Sequence, residues 1–231
     1  PLSLLAASEQ DSWRWRESFI TTFLERDIPQ LGIQIPAATL RRFWAMLAHY
    51  HGQILNASEL GRSLGVNQTT VSHYVDLLES VFMIRALQPW HENLKKRQVK
   101  RPKIYFRDSG LFHSLIGIRS ERSLLEHPKL GASWEGYALE ALLQVRQPDD
   151  VYFWATHSGA ELDLLMFAGG KRYGVEFKRS AAPKLTPSMK IAMNDLGLEQ
   201  LTVIYPGKKN YPLAESIHVE PLDSVLSEKL S

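Results

Sequence analysis

Hydrophobic and polar positions change period along the chain, and the changes mark out its elements. Residues 12–27 carry Trp15, Phe19, Ile20 and Phe23 at helical spacing, which predicts an amphipathic helix ending at or just before Pro29. Residues 38–51 predict a second helix, with Leu40, Phe43, Trp44, Leu47 and Tyr50 inward and Gly52 as its stop. Residues 57–64, with Ser58 near the cap, predict a short helix. Residues 68–80, capped by Asn67, predict a longer one with Val71, Val75 and Leu78 inward, and Gly65 turns the chain between the two. Residues 82–89 and 103–106 read as short strands, and 108–118 as a helix with Leu111, Phe112 and Leu115 apolar. A polar bridge, 119–129, follows. Beyond Leu130 come a helix over 133–145, three strands, a helix over 187–196 and a strand over 201–205.

The three strands hold the densest chemistry. They cover 151–155, 161–167 and 172–178, and Gly169-Gly170 between the last two suits a type I′ turn, whose two central residues both need positive φ. That turn pairs Ala168 with Lys171. Asp163 then lies opposite Glu176, and Glu161 opposite Lys178, all four on one face. Leu162, Leu164, Val175 and Phe177 share the other face as core. Two facing carboxylates repel across a distance of about 5 Å. A divalent cation, Mg²⁺ or Mn²⁺, offsets such repulsion, and Lys178 on the same face can serve a water or phosphate beside it. The alternative is a solvated sheet face with a Glu161–Lys178 pair that contributes little.

The αβββαβ order, the Asp closing GAELD and the tripeptide Glu176-Phe177-Lys178 on the next strand resemble the PD-(D/E)XK nuclease superfamily. The resemblance implies that Asp163 and Glu176 bind the metal and that Lys178 helps activate water. It also implies a completing Glu on the preceding helix, Glu135 of WEGYALEAL, with Glu140 as the fallback. No Pro precedes Asp163, a departure from the family's name motif.

Upstream, a short helix, a Gly-containing turn and a longer helix make the helix-turn-helix pattern. LGRSLGVNQTTVSHYVDLL resembles winged-helix DNA-binding modules. Gln68, Thr69, Ser72 and His73 form the outward face at the start of the longer helix, and such small polar residues read base edges or phosphates. A protein-docking role is the alternative. The wing strands would flank the chain's densest basic run, which includes Lys95, Lys96, Arg97, Lys100, Arg101, Lys103 and Arg107. A wing so charged lies along phosphates and gives salt-dependent affinity; a solvated loop is the plainer reading.

Composition narrows this picture in three ways. The 231 residues are 44% hydrophobic with six Trp, enough for one large domain or two small ones. No cysteine is present, which excludes disulfides and thiolate metal sites and fits a cytoplasmic protein. No apolar run approaches a membrane span, and PLSLLAASEQ is too short and uncharged for a secretory signal. The net charge of +2 says little about nucleic acid; the distribution of charge says more. His113, His127 and His157 show no zinc spacing.

WRESFITTFLERDI, the winged-helix stretch, YFRDSGL, LGASWEGYALEALL, GAELDLLM and VEFKRS occur in this order, and the whole resembles the C-terminal region of a family of prokaryotic AAA-type ATPases. That resemblance implies an ATPase domain as partner in a longer protein, in keeping with a first residue, Pro1, that is not Met. The expected fold class is α/β: N-terminal helices and a winged helix-turn-helix, then a PD-(D/E)XK-like αβββαβ domain. The divisions fall at 1–37, 38–118 and 119–231. The expected function is Mg²⁺-dependent nuclease-like phosphodiester hydrolysis with DNA as partner. The competing expectation is a non-catalytic DNA- or protein-binding module with a vestigial site.

Overall fold

The computed structural model describes residues 8–33, 35–92 and 97–227. It is an α/β protein whose contacts divide it into two units. The first holds the chain up to Ala86 together with Ile104–Ser133; the second holds Leu87–Lys103 and the chain from Trp134 onward. The N-terminal helix contributes Ile20, Phe23, Leu24 and Ile28 to the same apolar core as Leu40, Trp44, Val75 and Phe112, so it is built into the first unit.

In that unit α1 (Glu9–Thr22) is capped by Ser8 and passes through a π turn, Phe23–Asp27, into α2 (Ile28–Gln30). The helical run therefore includes Pro29 rather than stopping before it. A π turn directly upstream gives slack around a residue that has no N–H to donate. Next come α3 (Ala37–Ala48), β1 (Gln53–Ile54), α4 (Ala57–Leu64) and α5 (Gln68–Ser80). The cap of α4 is Asn56, whose Oδ1 accepts from the Glu59 N–H at 3.4 Å, not Ser58. Asn67 caps α5, accepting from Thr70 N–H at 2.8 Å. Strands β2 (Ile84–Leu87) and β3 (Lys103–Phe106) complete a three-stranded sheet in the order β1-β3-β2. Then follow α6 (Ser109–Leu115), capped by Asp108, and α7 (Glu121–Leu125) within the expected polar bridge.

The second unit takes most of α8 (Leu130–Arg146) and a mixed sheet. Its strands are β4 (Asp150–Ala155), β5 (Glu161–Ala168) and β6 (Lys171–Phe177), then, after α9 (Pro187–Leu196), β7 (Gln200–Tyr205), β8 (Tyr211–Ala214) and β9 (Ile217–Pro221). Helix α10 (Leu222–Ser227) closes the described chain. The order across the sheet is β4-β5-β6-β7-β9-β8, with β6-β7 and β7-β9 parallel and the rest antiparallel. The expected αβββαβ order is present, and β8, β9 and α10 extend it.

Helix α9 covers one face, where Met189, Ala192 and Leu196 join Leu165, Leu201 and Val203 in a core. Gly174 lies on that face because a Cβ there would come within 2.6 Å of Leu198. On the opposite face Leu142 of α8 and Val225 of α10 line a cavity of about 350 Å³ with Val175 and Ile204.

Of the described residues between β2 and β3, Pro89, Trp90, Gln98 and Val99 are held beside β4. Pro89 bridges Phe153 and Gln98 bridges Thr156, both on or beside β4. Trp90 N–H donates to Phe153 O at 2.7 Å, Val99 N–H to Ala155 O at 3.0 Å, and Trp154 Nε1 to Gln98 Oε1 at 3.0 Å. These contacts cover the edge of the sheet along β4, and an edge strand needs such cover. Among the described residues no helix is long and apolar enough to cross a membrane.

Candidate functional site

The hairpin has the register that its glycines dictate. Gly169 and Gly170 have φ of 56° and 75°, and Ala168 pairs with Lys171. The ladder runs to Leu164↔Val175. One step further, the Phe177 N–H donates to Asp163 Oδ2 at 3.0 Å rather than to a backbone carbonyl. Asp163 and Glu176 converge on one ammonium: Lys178 Nζ lies 3.6 Å from Asp163 Oδ2 and 2.5 Å from Glu176 Oε2.

Leu162 departs from the expected face. The β4–β5 register passes from Tyr152↔Leu165 to Trp154↔Leu162, three residues of β5 against two of β4. This bulge breaks the two-residue alternation, so Leu162 packs with Leu165 on the α9 side and not with Leu164. Asp163 sits inside the bulge, and bulges commonly re-aim a side chain beside a site. Glu161, also expected on the carboxylate face, is exposed, and its backbone N–H donates to Ser188 Oγ at 2.7 Å.

The residue that sequence reasoning placed wrongly is Lys103. It was counted with the basic wing, yet it is only 5% exposed. Its Nζ lies 3.5 Å from Asp163 Oδ1, 4.0 Å from Glu135 Oε1 and 5.5 Å from the centre of the Phe153 ring. A signal was there. Lys103 opens the apolar run Lys103-Ile104-Tyr105-Phe106, a strand buried along its whole length, so its side chain had to find a charge inside. Glu135 of α8 is thereby drawn to the site through Lys103, while Glu140, on the same helix, is buried.

Burial and charge act against each other here. Glu176 is 3% exposed, and burial, followed by the charge of Asp163, pushes its carboxyl up to about 8; Lys178 opposes the rise. Burial alone would lower Lys178, but Asp163 and Glu176 outweigh it and hold the ammonium above the ordinary lysine range. Lys103 is raised in the same sense, burial being outweighed by Asp163 and then Glu135. Both lysines are therefore cations at neutral pH. Among the described residues Glu176 Oε1 is buried and has no hydrogen-bond partner.

Buried carboxylate oxygens, one of them unpartnered, are the donor type that Mg²⁺ or Mn²⁺ takes, and in that respect Asp163 and Glu176 fit such an ion. The side chains do not yet converge as a ligand set: among the described residues no three His, Asp or Glu are grouped as a metal site. Ammonium groups stand against both oxygens of Asp163 and against Glu176 Oε2.

The proposed nucleic-acid contacts divide between the units. Gln68, Thr69, Ser72 and His73 are all exposed on the first turns of α5. Arg97, Lys100 and Arg101 are exposed in the second unit. Lys95 and Lys96 lie outside the described residues.

A family model described as a domain of unknown function (DUF8612) matches residues 1–122, and a second domain of unknown function (DUF4143) matches residues 130–225. Two uncharacterised mycobacterial proteins, Mb2031c of Mycobacterium bovis and Rv2008c of Mycobacterium tuberculosis, are each 49% identical to the chain over 227 residues, 98% of this chain and 52% of theirs. The chain spans about half the length of the curated relatives it matches. Among solved structures, protein VC1899 from Vibrio cholerae aligns with 96% of this chain and 54% of its own, at 14% identity and a TM-score of 0.29, too loosely to bear on the fold.

Proposed function

Because the chain belongs to the DUF8612 family, whose function is unknown, we propose an activity from its geometry: Mg²⁺- or Mn²⁺-dependent hydrolysis of a nucleic-acid phosphodiester, at a site of PD-(D/E)XK type. The observation that carries this reading is Glu176 Oε1, a buried carboxylate oxygen without a partner beside a second carboxylate. Asp163 and Glu176, with the Phe177 carbonyl, would hold the ion, and Glu135 would complete or orient the shell. Once bound, such an ion polarises a phosphoryl oxygen and lowers the pKa of a water. Lys178 keeps its proton, so it acts not as a base but as a fixed positive charge that orients water and stabilises the developing phosphate charge. Its side chain is 36% exposed, which leaves it open to a substrate.

Recognition would fall to the exposed face Gln68, Thr69, Ser72 and His73, in the manner of a winged helix, and to Arg97, Lys100 and Arg101 along phosphates. The relatives are roughly twice as long as this chain, which leaves room for the ATPase domain that the sequence resemblance implies as partner.

One observation favours a second reading, a DNA- or protein-binding module with a vestigial site: Lys103 already neutralises Asp163. The two are separated by assaying duplex, single-stranded and junction DNA and RNA with Mg²⁺ and Mn²⁺. The nuclease cuts in metal, stops in chelator and loses cleavage in Lys178→Ala while keeping its salt-dependent DNA affinity. Binding that persists in chelator, with no cleavage of any substrate and no metal-induced rise in melting temperature, selects the second reading.

A further inference from the structure

We propose that Lys103 is an internal competitor of the metal: its ammonium and a divalent cation exclude one another at Asp163. This inference rests on the metal-site reading above and adds to it what sets the site's affinity.

The geometry separates the two lysines. Both oxygens of Asp163 are engaged, Oδ1 by Lys103 Nζ at 3.5 Å, and Oδ2 by the Phe177 N–H at 3.0 Å with Lys178 Nζ at 3.6 Å. A cation that takes Asp163 as a ligand must therefore displace an ammonium. Lys178 can yield at lower cost, because its side chain is 36% exposed and its charge can be rehydrated. Lys103 cannot. Its side chain is 7% exposed, and it follows Pro102 at the start of a strand buried throughout. A buried ammonium brought close to a divalent ion is repelled in a medium of low dielectric constant, where water does not screen the charges. Lys103 must then shift toward Glu135, its other carboxylate at 4.0 Å, or toward the Phe153 ring. Metal binding thus includes the transfer of one buried charge from Asp163 to Glu135, which then orients the shell rather than completing it, and affinity is reduced accordingly. The swap leaves Lys178 free to face the substrate.

The test is metal binding to the unaltered chain and to Lys103→Met, which keeps the length of the side chain and removes its charge. Calorimetric titration with Mn²⁺ and the Mn²⁺-induced rise in melting temperature are both read, so the result does not depend on cleavage. Lys103→Met is expected to bind Mn²⁺ at least tenfold more tightly than the parent, and Lys103→Arg, which restores the charge, no more tightly than the parent. Equal affinity in the parent and Lys103→Met overturns the competition and leaves the metal site standing. No binding in either overturns the metal site together with it. A measurement on the parent keeps the inference testable if Lys103→Met does not fold. In ¹³Cε NMR of the lysines, Mg²⁺ should move the Lys103 signal; a shift at Lys178 with none at Lys103 refutes the exchange.

Discussion

Each unit buries a polar centre, and the two centres are built on opposite terms. In the first, His51 is 1% exposed and both ring nitrogens are matched: the Phe106 N–H donates to Nδ1 at 3.0 Å, and Nε2 lies 3.1 Å from the Ala132 carbonyl. With Nδ1 accepting, Nε2 carries the proton and the ring is neutral. Phe112 stacks on it at 4.1 Å. Burial lowers its pKa to about 3, and the bond to Ala132 recovers only part of the shift. The orphaned polar group of the described core around it, Trp44 Nε1, is also neutral. In the second unit, Asp163, Glu176, Lys103 and Lys178 are ionisable groups held at close range, with one carboxyl oxygen unpartnered among the described residues. A core needs polar groups that are neutral and satisfied. Replacing buried ionisable groups by apolar side chains is often neutral or stabilising, so packing alone does not require this arrangement.

The largest expected effect tests the first half of that contrast. His51→Ala strands the Phe106 N–H and the Ala132 carbonyl and opens a cavity against Phe112. By analogy with other buried large-to-small changes it should cost about 3 kcal/mol or more. Urea unfolding followed at amides of the first unit would read this as a lower midpoint. A loss below about 1 kcal/mol would mean that His51 is replaceable, and the contrast would fail on its structural side.

A pH titration comes next in size. His51 and His113 have pKa values of about 3 and about 4 in the folded chain, against 6.5 for the ordinary group, burial being the first cause in both. Their folded values are depressed, so the unfolded chain binds more protons between those limits. The stability that neutral histidines give is complete above about pH 6.5 and is lost as pH falls toward 4 and then 3. The first unit should therefore soften in mild acid, by on the order of a few kcal/mol. His51→Gln should flatten the slope. A midpoint unchanged between pH 7 and pH 4.5 would show that these rings are not held neutral.

Much of this was legible in the sequence, and where it was not the cause is physical. The bounds of α4, α5 and α9 follow from local signals: Asn67, Thr186 before Pro187, and Gly65 and Gly197 in left-handed C-cap positions. The hairpin register followed from two glycines, because turn chemistry acts over four residues. The bulge at Asp163 did not follow, since β4 imposes it from a distance and alternation within β5 is silent about it. Lys103 was misplaced for a related reason. A lysine beside Lys100 and Arg101 looks like one more surface charge until the fold brings Asp163 and Glu135 to it. The strands beyond Tyr205 are short and punctuated by Pro212, and they become a sheet edge only by pairing beside β7.

The smallest expected effect is the sharpest test of the charged centre. Glu176→Gln keeps the shape of the side chain, removes one of two facing charges and offers an amide N–H where Oε1 has no partner. Folding raises the Glu176 carboxyl from 4.5 to about 8, chiefly by burial and then by Asp163. A raised carboxyl contributes its stability below the unfolded value and loses it as pH rises through the folded one. At pH 5 the parent already carries a proton there, and Glu176→Gln should unfold at the same temperature as the parent, or slightly lower because the Lys178 contact at 2.5 Å is weakened. At pH 9 the parent must hold a buried anion, and the variant should be the more stable of the two. The signature is a difference that changes with pH, read as melting temperatures in metal-free buffer. A difference that stays constant from pH 5 to pH 9 would show that Glu176 is ionised throughout and fully compensated by its lysines. The second centre would then be a satisfied ion cluster of the kind a core tolerates, and its contrast with His51 would disappear.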